Sequence, residues 1–192
     1  MSRQHGVHQV PALERVRSLG ELAEREQRVA QRLLREDVYR PELITSDITF
    51  EYDPAPWSDW YGGHEWTWYA DVSGRYLNAM VSLLPALGGF PETAQQVLEI
   101  VLANQASDGH FGPPLAANVC DRSQASGTAW MLLALPRVAH VLGDERALQA
   151  ARRLADWYRT VTPYWLHDDV LSQQDSRKSH ALIFSNFTHC LD

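Results

Sequence analysis

The stretch SGTAWMLLALP, Ser126 to Pro136, decides how this chain is read. Fifty-three residues earlier stands SGRYLNAMVSLLP, Ser73 to Pro85, and fifty-three later SHALIFSNF begins at Ser179. Each is a serine, then glycine or histidine, then an apolar run. A segment that is apolar almost all round is expected to be a helix covered by other helices. The first of these opens at Asp71, expected as its cap. It carries Val72, Tyr76, Leu77, Ala79, Met80, Val81, Leu83, Leu84 and Leu87, and stops at Gly88 and Gly89.

Each apolar segment has an amphipathic partner. Pro91 and Glu92 start a helix with Ala94, Val97, Leu98, Val101 and Leu102 on one side and Glu92, Gln95, Gln96 and Glu99 on the other. The second apolar helix, led in by Ser126 and Gly127, ends at Gly143. Asp144 then caps a helix with the stripe Ala147, Leu148, Ala151, Leu154, Ala155 and Tyr158. A third round opens at Ser179 with Ile183, Phe184, Phe187, Cys190 and Leu191 at helical spacing. The repeating unit is therefore one helical hairpin, an inner apolar helix plus an outer amphipathic one.

Hairpins of this kind bury their inner helices by stacking on neighbours, as an open superhelix or as a closed double ring. Inner helices apolar on every side favour the ring. The expected fold class is all-α, with hairpins forming part of an (α/α)6 toroid. Six hairpins need about 320 residues. A chain of 192 that closes on FTHCLD, in mid-pattern, is expected to be the N-terminal portion of a longer protein, or else a short form completed by oligomerisation. An open hairpin edge predicts a homo-oligomer or aggregation. The expected layout is one toroid domain: segment and helix over 1–40, aromatic loop over 41–70, hairpin repeats over 71–192.

In the first part, Leu19 to about Glu36 reads as a helix with Leu22, Val29, Leu33 and Leu34 as a stripe, ended by Pro41. Residues 41–70 have no helical period and are expected to form a long loop with short strands. From this loop into the helix that follows, Trp57, Trp60, Tyr61, Trp66, Trp68, Tyr69 and Tyr76 crowd into twenty residues, which suggests a lined cavity or groove.

The totals exclude several classes. A net charge of -7 argues against a nucleic-acid surface. The apolar run inside 129–142 is broken by Pro136, Arg137 and His140 and is too short to cross a bilayer. The N-terminus lacks the apolar core of a signal peptide, so a cytoplasmic protein is expected. Cys120 and Cys190 make no CxxC pair and are expected to be reduced thiols. Motifs for serine nucleophiles, phosphate loops and HExxH metal sites do not occur.

The segments WSDWYGGHEWTWYADVSGRYLNAM, VLANQASDGHFGPPL, SGTAWMLLAL and GDERALQAARRLADWY, in that order, resemble glycoside hydrolase family 127, the β-L-arabinofuranosidase-like (α/α)6-toroid enzymes. The resemblance covers roughly residues 55 to 192, including the turn Gln105 to Gly109 and the pair Gly143 and Asp144. It implies retaining hydrolysis of a furanoside by a cysteine thiolate held at a zinc site, with a glutamate as acid/base. Neither Cys120 nor Cys190 sits in a matching motif, and no zinc ligand set is expected in these residues, so zinc is implied for a longer form alone.

The resemblance also implies that sugar contacts lie where inner helices begin: Asp71 and Arg75, Ser126 to Thr128, Ser179 and His180. The family has histidines at the second and third starts. This chain departs with Thr128 and keeps His180. His180 is read as a sugar contact or as an ordinary half-buried histidine. Asp71 and Arg75, spaced i, i+4, are read as cap and ion pair or as a polyol clamp. Trp60, Tyr61 and Trp66 offer flat faces for a sugar ring, with packing under the loop as the alternative. Gln105 and Asp108 read as turn-formers. Asp59, His64 and Glu65 are further contacts whose separation sequence does not give.

The function expected is thus a glycoside hydrolase-like protein acting on a furanosidic oligosaccharide, its catalytic groups beyond this chain. The alternatives are a toroid uronyl hydrolase or lyase and a non-catalytic helical scaffold that binds carbohydrate or protein.

Overall fold

The computed structural model describes residues 18–35, 37–49, 69–112 and 122–165. Their regular structure is helical: eight α-helices and, among the described residues, no strand. In chain order these are α1 (Glu21–Leu33), α2 (Pro41–Ile44), α3 (Ser46–Thr49), α4 (Asp71–Ser82), α5 (Leu84–Leu87), α6 (Glu92–Asn104), α7 (Arg122–Leu142) and α8 (Glu145–Trp165). Helices α4 and α7 make the most extensive contact; α8 packs on α7, α6 lies against α4 and α8, and α2 and α3 close over α4 and α6.

The amphipathic expectation holds for the two outer helices. In α6, Ala94, Val97, Leu98 and Val101 are completely buried, while Glu92, Gln96 and Glu99 are exposed. In α8 the buried set is Ala147, Ala150, Ala151, Leu154, Trp157 and Tyr158. Asp144 caps α8 as expected, its Oδ1 accepting from the Arg146 amide at 2.8 Å. Arg146 also reaches Glu99 on α6 with two bonds of 2.8 and 2.9 Å, an exposed clip that ties the outer helices together. Gly88 and Gly143 end α5 and α7 in the left-handed region, with φ of 74° and 67°.

Elsewhere the structure corrects the reading. The first inner helix does not run on to Gly88. It stops at Ser82, and Leu83 separates it from the single turn α5. Pro85 supplies the reason: it has no N–H for the i−4 carbonyl and is suited to the first turn of a new helix. Helix α7 begins at Arg122, so Ser126 and Gly127 lie a turn inside it rather than leading in. Residues 41–49, expected as loop, are α2 and α3, with Pro41 opening α2 instead of ending α1. The α1 stripe is mostly uncovered: Leu22, Val29 and Leu34 are 58%, 48% and 45% exposed, and Ala30 is the buried residue.

The inner helices are not covered all round among the described residues. In α4 the buried face is Ser73, Gly74, Tyr76, Leu77, Met80 and Val81, whereas Val72 is 52% exposed. The opposite side of α4 carries Asp71, Arg75, Asn78 and Ser82 at i, i+4, i+7 and i+11, one polar stripe at helical spacing. The apolar count of the segment hides it.

The contact between α4 and α7 rests on Gly74. A Cβ there would stand 2.7 Å from the Met131 backbone nitrogen and 2.8 Å from the Trp130 carbonyl carbon. The two backbones touch at this point, so a methyl group has nowhere to go. Gly74→Ala is expected to lower unfolding free energy by about 1–3 kcal/mol despite alanine's better helix propensity. Urea unfolding of the two proteins checks this, and an equally stable variant contradicts the close approach.

Candidate functional site

The polar stripe of α4 meets α7 along a seam. Arg75 donates from Nε to both carboxylate oxygens of Asp71 at 3.0 Å, and its guanidinium carbon lies 4.4 Å from the centre of the Trp130 ring. One turn further along, Arg137 of α7 bonds Asn78 Oδ1 and, at 3.1 Å, Ser82 Oγ. Past Arg137 lies a shallow hollow of about 230 Å³ lined by Val81, Pro136, Arg137, His140 and Val141.

The electrostatics differ between the members of the pair. The Asp71 side chain is 16% exposed and that of Arg75 is 52% exposed. Burial pushes the Asp71 carboxyl upward, and the neighbouring Arg75 charge and hydrogen bonds pull it back. Arg75 is thereby fixed between a carboxylate and an indole face. Its Nη donors are unclaimed among the described residues.

Asp71 is not the cap of α4, which corrects the reading of its structural role. Ala70 occupies the cap position in the left-handed region at φ 59° and makes no side-chain cap bond. The capping oxygen comes from another helix: Asp47 Oδ2 on α3 accepts from the amides of Val72 at 2.7 Å and Ser73 at 3.1 Å.

Thr128 lies apart from the seam. It is completely buried; its hydroxyl bonds the Gln124 carbonyl oxygen at 2.6 Å and pairs with Tyr158 OH at 2.8 Å, facing α8. Two residues on, Trp130 faces α4, because positions i and i+2 point to different sides of a helix. The structure therefore brings Asp71 and Arg75 together with Trp130, Asn78 and Arg137, and sets Thr128 in a buried polar chain. Trp60, Tyr61, Trp66 and His180 lie outside the described residues, as do Asp59, His64, Glu65, Cys120, Cys190 and the third repeat round.

The turn after α6 has the structural role expected of it. Gly109 donates to Ala106 O at 2.9 Å, and Asp108 Oδ1 accepts from the His110 amide at 3.3 Å. Gln105 spends both Nε2 protons, on Gly109 O and Ala150 O at 2.9 Å each, and its Oε1 accepts from Arg153. Gly109, at φ 101°, presses on α8 so closely that a Cβ would stand 2.2 Å from Arg153 O. His110, buried beside Trp157, pairs its Nδ1 with Asp108 Oδ1 at 2.5 Å.

Trp130, Asn78 and Arg137 were not singled out from the sequence as site residues. The i, i+4, i+7, i+11 spacing on α4 was the available signal for Asn78. For Trp130 and Arg137 the pairing of α4 with α7 had to be known first. Among the described residues no three His, Cys, Asp or Glu side chains gather. None of the described helices is long and apolar enough to cross a membrane. Comparison of the chain with protein-family models, with curated proteins and with solved structures found no match.

A double-mutant cycle tests the seam. Arg75→Ala and Trp130→Leu are expected to couple by about 0.5–1 kcal/mol in urea unfolding, the range for a partly exposed cation–π contact. Strictly additive losses contradict the contact.

Proposed function

We propose that this chain is the carbohydrate-binding portion of a glycoside hydrolase-like α/α toroid protein that acts on a furanosidic oligosaccharide, with the seam between α4 and α7 as the sugar-contact surface. The observation that carries the reading is Arg75. Clamped by Asp71, laid over Trp130 and half exposed, it offers oriented Nη donors at the start of an inner helix. A planar guanidinium held in this way suits the paired hydroxyls of a sugar, and Asn78 and Ser82 extend the same stripe with polar groups.

Hydrolysis in this reading belongs to a thiolate and carboxylates that are not among the described residues, and no step runs through zinc. The sugar seam supplies position and orientation. A uronyl-containing oligosaccharide is the second reading. Arg137 favours it, because its hydrogen-bond partners among the described residues, Asn78 and Ser82, are neutral and leave its charge for a carboxylate.

Titration calorimetry with an arabinofuranosyl oligosaccharide, a uronyl oligosaccharide and a neutral pyranose oligosaccharide tests the reading. The furanoside is expected to bind, and Arg75→Ala to weaken it at least tenfold, about 1.4 kcal/mol, with an unchanged far-UV spectrum. Preference for the uronyl sugar, lost in Arg137→Gln, transfers the reading to the second class. No binding of any of the three, or equal binding by Arg75→Ala, ends the carbohydrate reading at this seam.

A further inference from the structure

Helix α3 is four residues long, too short to hold itself, and one side chain fixes it to the start of α4. Asp47 Oδ2 accepts from the Val72 amide, the Ser73 amide and, at 3.3 Å, the Ser73 hydroxyl. The Asp47 carbonyl accepts from Ala70 N at 3.3 Å. The residue is 8% exposed, and its other carboxylate oxygen, Oδ1, is buried with no hydrogen-bond partner among the described residues.

No cation pairs with this carboxyl among the described residues. The charged groups on the elements around α3 are Glu42 on α2, Asp71 and Arg75 on α4, and Glu92 and Glu99 on α6. Glu42 is exposed and paired with Arg40, Glu99 is exposed and paired with Arg146, and Glu92 is exposed. Arg75 is turned to Asp71, which its Nε bonds. Asp71 is the charge that acts on Asp47, and it repels. Helix amides and the helix dipole favour the ionised form at this position, and burial opposes it. Burial prevails and pushes the Asp47 carboxyl up to about 7.

We propose that Asp47 is a proton-operated latch between α3 and the first turn of α4, closed while the carboxyl is neutral and released when it ionises. Ionisation leaves a buried charge beside Asp71 with Oδ1 unsatisfied, and that oxygen gains water when α3 parts from the turn. Ala70 sits at the pivot in a left-handed conformation that a Cβ disfavours, so loss of the cap lets the turn relax. Asp71 is the residue after Ala70, so release also loosens the clamp on Arg75. The latch operates whatever Arg75 binds.

The sign follows from linkage. The folded carboxyl keeps its proton to higher pH than the unfolded chain does. Its stabilising contribution is complete at low pH and is lost as pH rises, about tenfold in the folded-to-unfolded ratio per pH unit, from roughly 4 towards 7.

Amide NMR across that range tests the latch. The Val72 and Ser73 resonances are expected to titrate with a midpoint near 7, and their exchange protection to fall at least tenfold as pH rises from roughly 4 to that midpoint and to level off above it, while Leu77 and Met80 stay protected. In Asp47→Asn, which keeps an acceptor at the cap, titration and loss of protection both disappear. In Ser73→Ala, which removes a donor to the carboxylate, the midpoint moves higher. A midpoint below about 5, or the same loss of protection in Asp47→Asn, overturns the proposal. Should Asp47→Asn fail to fold, the direction of the Ser73→Ala shift decides.

Discussion

The close approach of α4 and α7 at Gly74 is the constraint on which the rest of the structure depends. With no side chain at that position the two inner backbones come within contact distance, and the groups flanking it are carried together. On the covered side Leu77, Met80, Met131 and Leu135 close the core without exposed surface. On the open side the same approach lays Arg75 on Trp130 and brings Arg137 to Asn78 and Ser82. Widening the helix pair separates both sets at once, because dispersion contacts and hydrogen bonds fail over a fraction of an ångström.

The caps of α4 and α8 have different consequences. Asp144 caps α8 from within its own sequence, next to the exposed Arg146 and Glu99, and its carboxyl is held below the usual carboxylate range by the Arg146 hydrogen bonds. Exposed charges of this kind are screened and contribute little to stability. Asp47 caps α4 from twenty-five and twenty-six residues away, in a buried setting, and its carboxyl moves the opposite way. The same residue type at the same kind of helix position is thus a local stop signal in one case and a tertiary fastening in the other. Desolvation makes the difference.

The outer helices were the most legible part of the chain. A helix buried on one side writes its environment into a 3.6-residue pattern, and Ala94, Val97, Leu98 and Val101 are buried where that pattern puts them. The inner helices were less legible for a related reason. A high apolar count reads as burial on all sides, which obscured the stripe of Asp71, Arg75, Asn78 and Ser82 and the exposure of Val72. Of the candidate residues, the Asp71 and Arg75 pair could be read from i, i+4 spacing and is present, but Asp47 gave no local signal. Nothing within three residues of it marks it as the cap of a helix that starts at Asp71.

By itself the sequence determined the helical class of α1, α4, α6, α7 and α8, the stripes of α6 and α8, the stops at Gly88 and Gly143, and the cap at Asp144. These follow from propensities and periodicities that act within about two helical turns. Tertiary structure decided which faces meet: that Gly74 seats against Trp130 and Met131, that Arg75 finds Trp130, that Thr128 turns to Tyr158, and that Asp47 serves α4. Those pairings join residues 25 to 57 positions apart, a separation at which local pattern is silent and close packing chooses the partner.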